Sequence, residues 1–331
     1  MEFRILGPVQ VFDEGADFRI TPAGAKQRAL LGTLVVKAGQ VVSADRLIDE
    51  LWGEHPPVNA ANALQTHVAR LRRMLPVRGP GPESGSGSGS AGSHHEWLVT
   101  RPLGYVLRLG RSGTDAQRFH HLTARGRSLA ATDPARSAEV LREALALWRG
   151  PALEGAGRGT ICSAEASLLE ESRLVTLETL YDACLRAGRA GEVTGELARL
   201  TASHPLRERF YELLMTALYQ CGRQAEALGV YDRAHSRLVH DLGVEPGPVL
   251  RGRMESIRLR RHPEAGKAGE FGGIREISEI RETGGASGVD GLHPLRTEVT
   301  RLRHEIEVLS RQYRELADRF ERLAADRTAS R

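Results

Sequence analysis

The period of the hydrophobic pattern changes near residue 20. Within residues 3–20, three short runs place an apolar side chain at every second position, which is the period of a β-strand. Apolar residues then recur at spacings of three and four, which predicts a helix. Thr21 and Pro22 fit the N-cap and first position of this helix, and Gly39 is expected to end it.

Two further helices and a hairpin are predicted after this first helix. Ser43 fits the N-cap of a short second helix, and Asn59 fits that of a third helix running to about Leu75. Residues 96–109 contain two apolar runs around Arg-Pro-Leu-Gly, which has the proline and glycine positions of a β-turn. Strands, three helices and a terminal hairpin, in this order, are typical of an α+β winged helix-turn-helix domain, here residues 1–110.

The segment at residues 111–262 repeats its own pattern. A shift of 34 residues superposes Ala183 on Ala217 and Gly188 on Gly222. A period of this length, with a glycine between two helices, is typical of tetratricopeptide repeats. We therefore expect a tetratricopeptide-like helical domain here, which makes the chain mainly α.

Two segments are rich in glycine and offer little to bury. One, at residues 77–95, precedes the hairpin, and the other, at residues 263–290, follows the repeats. Such compositions are typical of flexible loops and linkers. Because the first of them carries the hairpin, the placement of the wing is the least determined part of the winged-helix prediction.

The last predicted element is a C-terminal coiled coil at residues 291–327. Its apolar residues recur at alternating spacings of three and four, which is the heptad pattern. The residues expected to form a dimerisation seam are Leu295, Val299, Leu302, Ile306, Leu309, Leu316 and Leu323. β-Branched residues at one seam position and leucine at the other favour a parallel dimer, whereas Tyr313 and Phe320 leave the number of strands open.

Composition limits the function of this chain of 331 residues with a net charge of +4. No apolar run approaches the roughly 20 residues of a membrane span, and no secretory signal is apparent. The three cysteines lack CxxC spacing, so we expect no disulfide, no metal site and a cytoplasmic, nucleoid-associated protein. The common nucleotide-binding, zinc-protease and serine-hydrolase motifs are missing, which argues against an enzyme and against a cofactor.

The predicted third helix has an apolar face and a polar face. The apolar face consists of Leu64, Val68, Leu71 and Leu75. The residues expected to read base edges are Asn62, Gln65, Thr66, Ala69 and Arg70. Amides suit adenine, arginine suits guanine, and a small side chain permits close approach. On an isolated helix such a face would indicate only solvation, but its position before a hairpin favours a recognition helix.

Positive charge is concentrated around this helix. Between Pro57 and Arg111 there are seven arginines and two glutamates, which is the footprint of a DNA contact, although a solvated face would also explain it. The residues expected to hold phosphates or to form the wing contact are Lys26, Arg28, Arg72, Arg73, Thr100, Arg101 and Tyr105. For the hairpin residues, the alternative is an ordinary turn with one exposed arginine.

Several stretches of the chain resemble a known family. MEFRILGPVQV, VVSADRLIDELWG, NALQTHVARLRRML and TRPLGYVL are similar to the OmpR-type winged helix of the Streptomyces antibiotic regulatory proteins. LREALALWRGPAL, HPLRERFYELLMTALYQCGRQAEAL and LGVEPGP resemble the bacterial transcriptional activation domain that follows it in that family. The resemblance covers about residues 1–262. The long loop before the hairpin and the coiled coil depart from the family's minimal pattern.

The resemblance implies a transcriptional activator of a secondary-metabolite (antibiotic) gene cluster, of the family's small type, which carries no NTPase domain. Such proteins bind double-stranded DNA at direct repeats near the promoter −35 element and contact RNA polymerase through its sigma factor and alpha subunit. We expect a homodimer on DNA, with the linker reconciling a two-fold coiled coil with head-to-tail repeats. The alternative is a repeat scaffold whose main partner is another protein.

Overall fold

The computed structural model describes residues 1–13, 18–75, 97–109, 113–157 and 159–259. The predicted loop at 77–95 lies outside the described residues. The predicted linker at 263–290 and the coiled coil with its seven seam residues also lie outside them. Both the coiled coil and the dimer therefore stay predictions.

The first sheet contains the three strands that the alternating pattern predicts. They are β1 (Glu2–Arg4), β2 (Gln10–Asp13) and β3 (Phe18–Ile20). A strand that the pattern did not predict, β7 (Gly113–Thr114), pairs parallel with β1 and gives the order β3-β2-β1-β7. A strand of two residues is too short to carry a recognisable period, so only its partner defines it.

Three helices follow, close to the predicted positions. They are α1 (Ala25–Val36), α2 (Ala44–Trp52) and α3 (Ala60–Met74), with β4 (Val42–Ser43) before α2. Ser43 caps α2 as predicted, since its hydroxyl accepts a hydrogen bond from the backbone N–H of Arg46. The predicted start of α1 at Thr21 and Pro22 is wrong. The helix begins after Gly24. The carbonyl oxygens of Pro22 and Ala23 accept hydrogen bonds from the Arg28 guanidinium.

The predicted hairpin forms and joins a second sheet. Its strands are β5 (Leu98–Arg101) and β6 (Gly104–Leu107), and Arg101 pairs with Gly104 at the turn. β6 also pairs with β4, so the order is β4-β6-β5. This pairing requires glycine at position 104, because a Cβ there would lie 2.0 Å from the carbonyl oxygen of Val42. The pairing of β4 with β6 therefore holds the N-terminus of α2 next to the turn of the hairpin.

The rest of the described chain is mainly helical and contains seven helices. They are α4 (Asp115–Leu129), α5 (Pro134–Leu145), α6 (Thr160–Arg186), α7 (Ala190–Ser203), α8 (Glu208–Gln220), α9 (Gln224–Leu242) and α10 (Pro248–Leu259). The predicted repeat is confirmed in the pairs α6–α7 and α8–α9. Gly188 and Gly222 occupy equivalent turns with φ of 73° and 78°, and Ala183 and Ala217 are both buried.

One hydrophobic core joins the winged helix to the first helices of the repeat region. Phe3 of β1, Leu31 of α1, Phe119 of α4 and Leu169 of α6 belong to the same buried cluster. The buried carboxylate of Asp115 accepts hydrogen bonds from backbone N–H groups that follow β1. The domain boundary predicted at residue 110 stays a prediction about sequence modules, and the packing is continuous across it.

Candidate nucleic-acid interface

The two faces of α3 are separated as the sequence predicts. Leu64, Val68, Leu71 and Leu75 are all buried against the winged-helix core. Their spacing places them on one side of a helix with about 100° between successive residues. Burying this stripe fixes the rotation of α3 about its own axis, and it thereby fixes which side chains point outward.

The outward stripe of α3 is polar and exposed. It consists of Asn62, Gln65, Thr66, Ala69, Arg70 and Arg73. The hydroxyl of Thr66 donates a 2.9 Å hydrogen bond to the carbonyl oxygen of Asn62, one turn earlier, so its proton is used within the helix. The stripe combines amides, a hydroxyl, a methyl group and guanidinium groups, which are the groups that distinguish base pairs in a major groove.

Arg72 lies on the flank of α3 and binds the hairpin. Its Nε and Nη2 donate to the carbonyl oxygen of Leu98 at 3.1 and 2.9 Å. Nη2 also donates to the hydroxyl of Thr100 at 2.7 Å. The sequence predicts a phosphate contact here, but the structure uses the donors of Arg72 to hold β5 beside α3. Arg72 therefore positions the hairpin.

The three predicted wing residues differ in exposure. Thr100 and Arg101 are exposed at the end of β5, where they are available to a ligand. The side chain of Tyr105 is only 9% exposed and belongs to the hydrophobic core. Its neighbour across the sheet is Val42 of β4. The burial of Tyr105 explains it as a packing residue, and we drop it from the candidate DNA contacts.

The two cations predicted near the start of α1 are engaged within the protein. Arg28 donates through Nε to the carbonyl oxygen of Gly155 at 3.0 Å, so it ties α1 to the segment before α6. Because its Nη1 binds two further carbonyl oxygens, we also drop Arg28 from the candidate contacts. Lys26 donates to the carbonyl oxygen of Leu51, at the end of α2, and remains at the protein surface.

Sequence reasoning did not identify His67 and Gln27. His67 lies on α3 between its buried and exposed stripes, and its ring stands 5.8 Å from that of Trp52. The side chain of Gln27 reaches it from α1, with Nε2 3.0 Å from Nδ1 of His67. No spacing rule indicates this pair, because it depends on how α1 packs against α3.

The described ranges give no sign of a metal site or a membrane span. They contain no group of three or more histidine, cysteine, aspartate or glutamate residues placed to hold a metal ion. Within the same ranges, none of the helices combines the length and apolar character needed to cross a bilayer. The three cysteines, all in the described part, are free.

Two family models match the chain. The model described as the bacterial transcriptional activator domain matches residues 114–258. The model described as transcriptional regulatory protein, C terminal, matches residues 20–84. The second match includes α3, and the first covers α4 to α10 almost completely.

Two transcriptional regulators are similar to most of this chain. Transcriptional regulator RedD of Streptomyces coelicolor is 42% identical over 259 residues, which are 78% of this chain and 70% of RedD. Regulatory protein DnrI of Streptomyces peucetius is 35% identical over 264 residues, which are 80% of this chain and 93% of DnrI. In both comparisons the alignment spans most of the relative.

A solved structure shares the fold. It is that of Mycobacterium tuberculosis EmbR in complex with a low-affinity phosphopeptide, at 33% identity and a TM-score of 0.68. The match covers 78% of this chain and 64% of the EmbR chain, so this chain spans less than two thirds of EmbR. The phosphopeptide is a ligand of EmbR.

Proposed function

Since the chain belongs to the Streptomyces antibiotic regulatory proteins, which are transcriptional activators and not enzymes, we propose that it activates a promoter by binding direct repeats and recruiting RNA polymerase. Family membership implies DNA binding. The direct-repeat operator near the −35 element, the polymerase contact through sigma factor and alpha subunit, and the antibiotic gene cluster are parts of this proposal. A protein acting in this way would be associated with the nucleoid.

The observation that carries the proposal is the division of α3 into a buried stripe and an exposed polar stripe. A helix anchored by four buried apolar residues presents its opposite face rigidly, which is what base reading in a major groove requires. We assign base contacts to Asn62, Gln65, Thr66, Ala69 and Arg70. Arg73 at the end of the same face and the exposed hairpin pair Thr100 and Arg101 are assigned to the sugar-phosphate backbone.

The helical region is proposed to contact polymerase. Its support is the shared core, because a helical region packed on the DNA-binding domain would be carried to a defined place beside the promoter. Two protomers are proposed to associate through the coiled coil at 291–327. The linker of residues 263–290 would average roughly 28 Å in end-to-end distance, enough to uncouple the coil's symmetry from that of the repeats.

A footprint on promoter fragments, followed by a salt titration, tests the proposal. A DNA reader with several phosphate contacts loses affinity by about 0.9 log unit per contact for each tenfold rise in salt. Arg70→Ala should relax preference at one base pair by about 1–3 kcal/mol, and its matched control is Arg186→Ala on the exposed end of α6. Sequence-independent binding of the wild-type protein would contradict the assignment of α3 and favour the scaffold alternative. An unchanged base preference in Arg70→Ala would contradict the assignment of Arg70.

A further inference from the structure

An open cleft of about 610 Å³ lies between the start of α1 and one flank of α3. Its walls carry three cationic side chains, Lys26 of α1 and Arg70 and Arg73 of α3. Gly24, the N-cap of α1, provides no side-chain cap for the helix, and Gly24 and Ala25 line the same end of the cleft. The cleft is therefore an electropositive recess beside the proposed reading face.

The cleft and the hairpin lie on opposite flanks of α3. Arg72, which binds the hairpin, and His67, which lines the cleft, are five residues apart. At 100° per residue their directions differ by about 140° around the helix axis. A helix in the major groove has one sugar-phosphate backbone along each flank. If the hairpin follows one strand, the cleft lies beside the other.

Gln27 contacts His67 at the wall of this cleft in an arrangement that suits a neutral imidazole. Its amide nitrogen donates to the carbonyl oxygen of His67 at 3.2 Å and lies 3.0 Å from Nδ1 of the same residue. An amide nitrogen only donates, so Nδ1 accepts and carries no proton. Gln27 is 7% exposed, and among the described residues its Oε1 has no hydrogen-bond partner.

The charges around His67 also oppose its protonation. Burial lowers the pKa of His67, and the positive charges of Arg70 and Lys26 lower it further. Arg73 lies one turn after Arg70 on α3 and also lines the cleft. From α2, the uncharged ring of Trp52 lies against His67. The imidazole ring of His67 is thus a neutral base among cations. The unpaired acceptor Oε1 belongs to the neighbouring amide of Gln27.

We propose that this cleft binds a phosphodiester group of the DNA strand opposite the hairpin, and that His67 takes up a proton from solvent when the phosphate enters. The inference rests on the proposed function of α3. A phosphate among these cations reverses the local potential and favours the imidazolium. The Gln27 amide then exchanges its two ends, so that Oε1 accepts from the new Nδ1–H. This exchange gives up the bond to the carbonyl oxygen of His67 and gains a charge-assisted one.

The consequence is an operator affinity that depends on pH. Between the lower pKa of His67 in the free protein and its higher pKa in the complex, binding takes up protons. Affinity therefore falls as the pH rises through that interval, by at most about tenfold per pH unit for one proton. Above the pKa of the complex the dependence ends. Arginine and lysine contacts alone would give no such slope near neutrality.

Nuclear magnetic resonance of the full chain tests the proposal directly. The ring Cε1–H of His67 is one of 12 histidine signals and is identified by its loss in His67→Gln. Its pKa should rise by about one unit or more when an operator duplex is added. An unchanged pKa in the presence of bound duplex would overturn the proposal. Inorganic phosphate at matched ionic strength should not reproduce the shift, and an equal shift there would overturn the assignment to the DNA strand.

Calorimetry provides a second readout. Titrations of duplex at pH 7 in two buffers of different ionisation enthalpy give the number of protons taken up. Uptake should persist in His55→Gln, which changes an exposed histidine between α2 and α3, and disappear in His67→Gln. Equal uptake in His67→Gln, with an unchanged circular dichroism melting curve, would overturn the role of His67. Wild-type protein that binds without proton uptake overturns only this inference, whereas absence of operator binding at every pH overturns the proposed function.

Discussion

The carboxylate of Glu50, on α2, accepts a 2.8 Å hydrogen bond from the backbone N–H of Cys162 in the first turn of α6. Its second oxygen accepts from the N–H of Ile161 at 2.9 Å. The first N–H groups of a helix lack partners within it and carry partial positive charge. Glu50 is only 6% exposed. A buried residue of the winged helix thus caps the long helix of the repeat region, which is far away in sequence.

Replacing Glu50 should weaken the attachment of α6. Glu50→Ala leaves two buried N–H groups without an acceptor, which should lower the free energy of unfolding by about 3 kcal/mol. Glu50→Gln retains one acceptor oxygen and should cost less. Urea denaturation measures both. The control is Glu54→Gln in the exposed turn after α2, and an equal effect of Glu54→Gln and Glu50→Ala would contradict the cap.

Arg72→Ala should release the hairpin from α3. The change removes the donors to Leu98 and Thr100, at about 1 kcal/mol of stability. Amide hydrogen exchange in β5 and β6 should quicken, and affinity should fall by a similar factor for operator and unrelated duplexes. The matched control is Arg73→Ala, whose side chain is exposed and which should leave hairpin exchange unchanged. A hairpin equally protected in Arg72→Ala would show that the contact does not position it.

The three cysteines should differ in reactivity toward a maleimide. Burial raises the pKa of Cys162 to about 12, and it also raises the pKa of Cys184. Cys221 is exposed at the end of α8. Since the thiolate is the reactive form, mass spectrometry of the native protein should find one rapid addition, at Cys221, and two slow ones that accelerate in urea. Rapid labelling at Cys162 without urea would mean that the contact between α1 and α6 opens readily.

Deletion of residues 289–331 tests the predicted coiled coil. If the coil links two protomers, it raises the effective concentration of the second DNA-binding domain. The truncated chain should then lose much more affinity for a site with two repeats than for a single repeat, as measured by gel shift. The single-repeat duplex is the internal control, and equal losses on both duplexes would exclude this role.

The sequence by itself determined most of the elements, apart from the short strand β7 and the start of α1, and both faces of the proposed reading helix. The alternation in residues 3–20, the Ser43 cap and the glycines of the repeat turns act through chemistry within a few residues, so they can be recognised locally. The same holds for the buried stripe of α3, because four apolar residues at helical spacing lie on one face and are buried together when that face packs on the core. These features needed no knowledge of which elements meet.

Only the tertiary structure decided what individual polar side chains do. Arg28, Arg72 and Tyr105 were predicted as DNA contacts from their position along the chain, but each meets a partner from another element and serves packing or positioning. Glu50 and His67 gain their importance in the same way, through residues 112 and 40 positions away. A long polar side chain satisfies its hydrogen bonds with whatever lies within reach, and the fold alone determines what lies there.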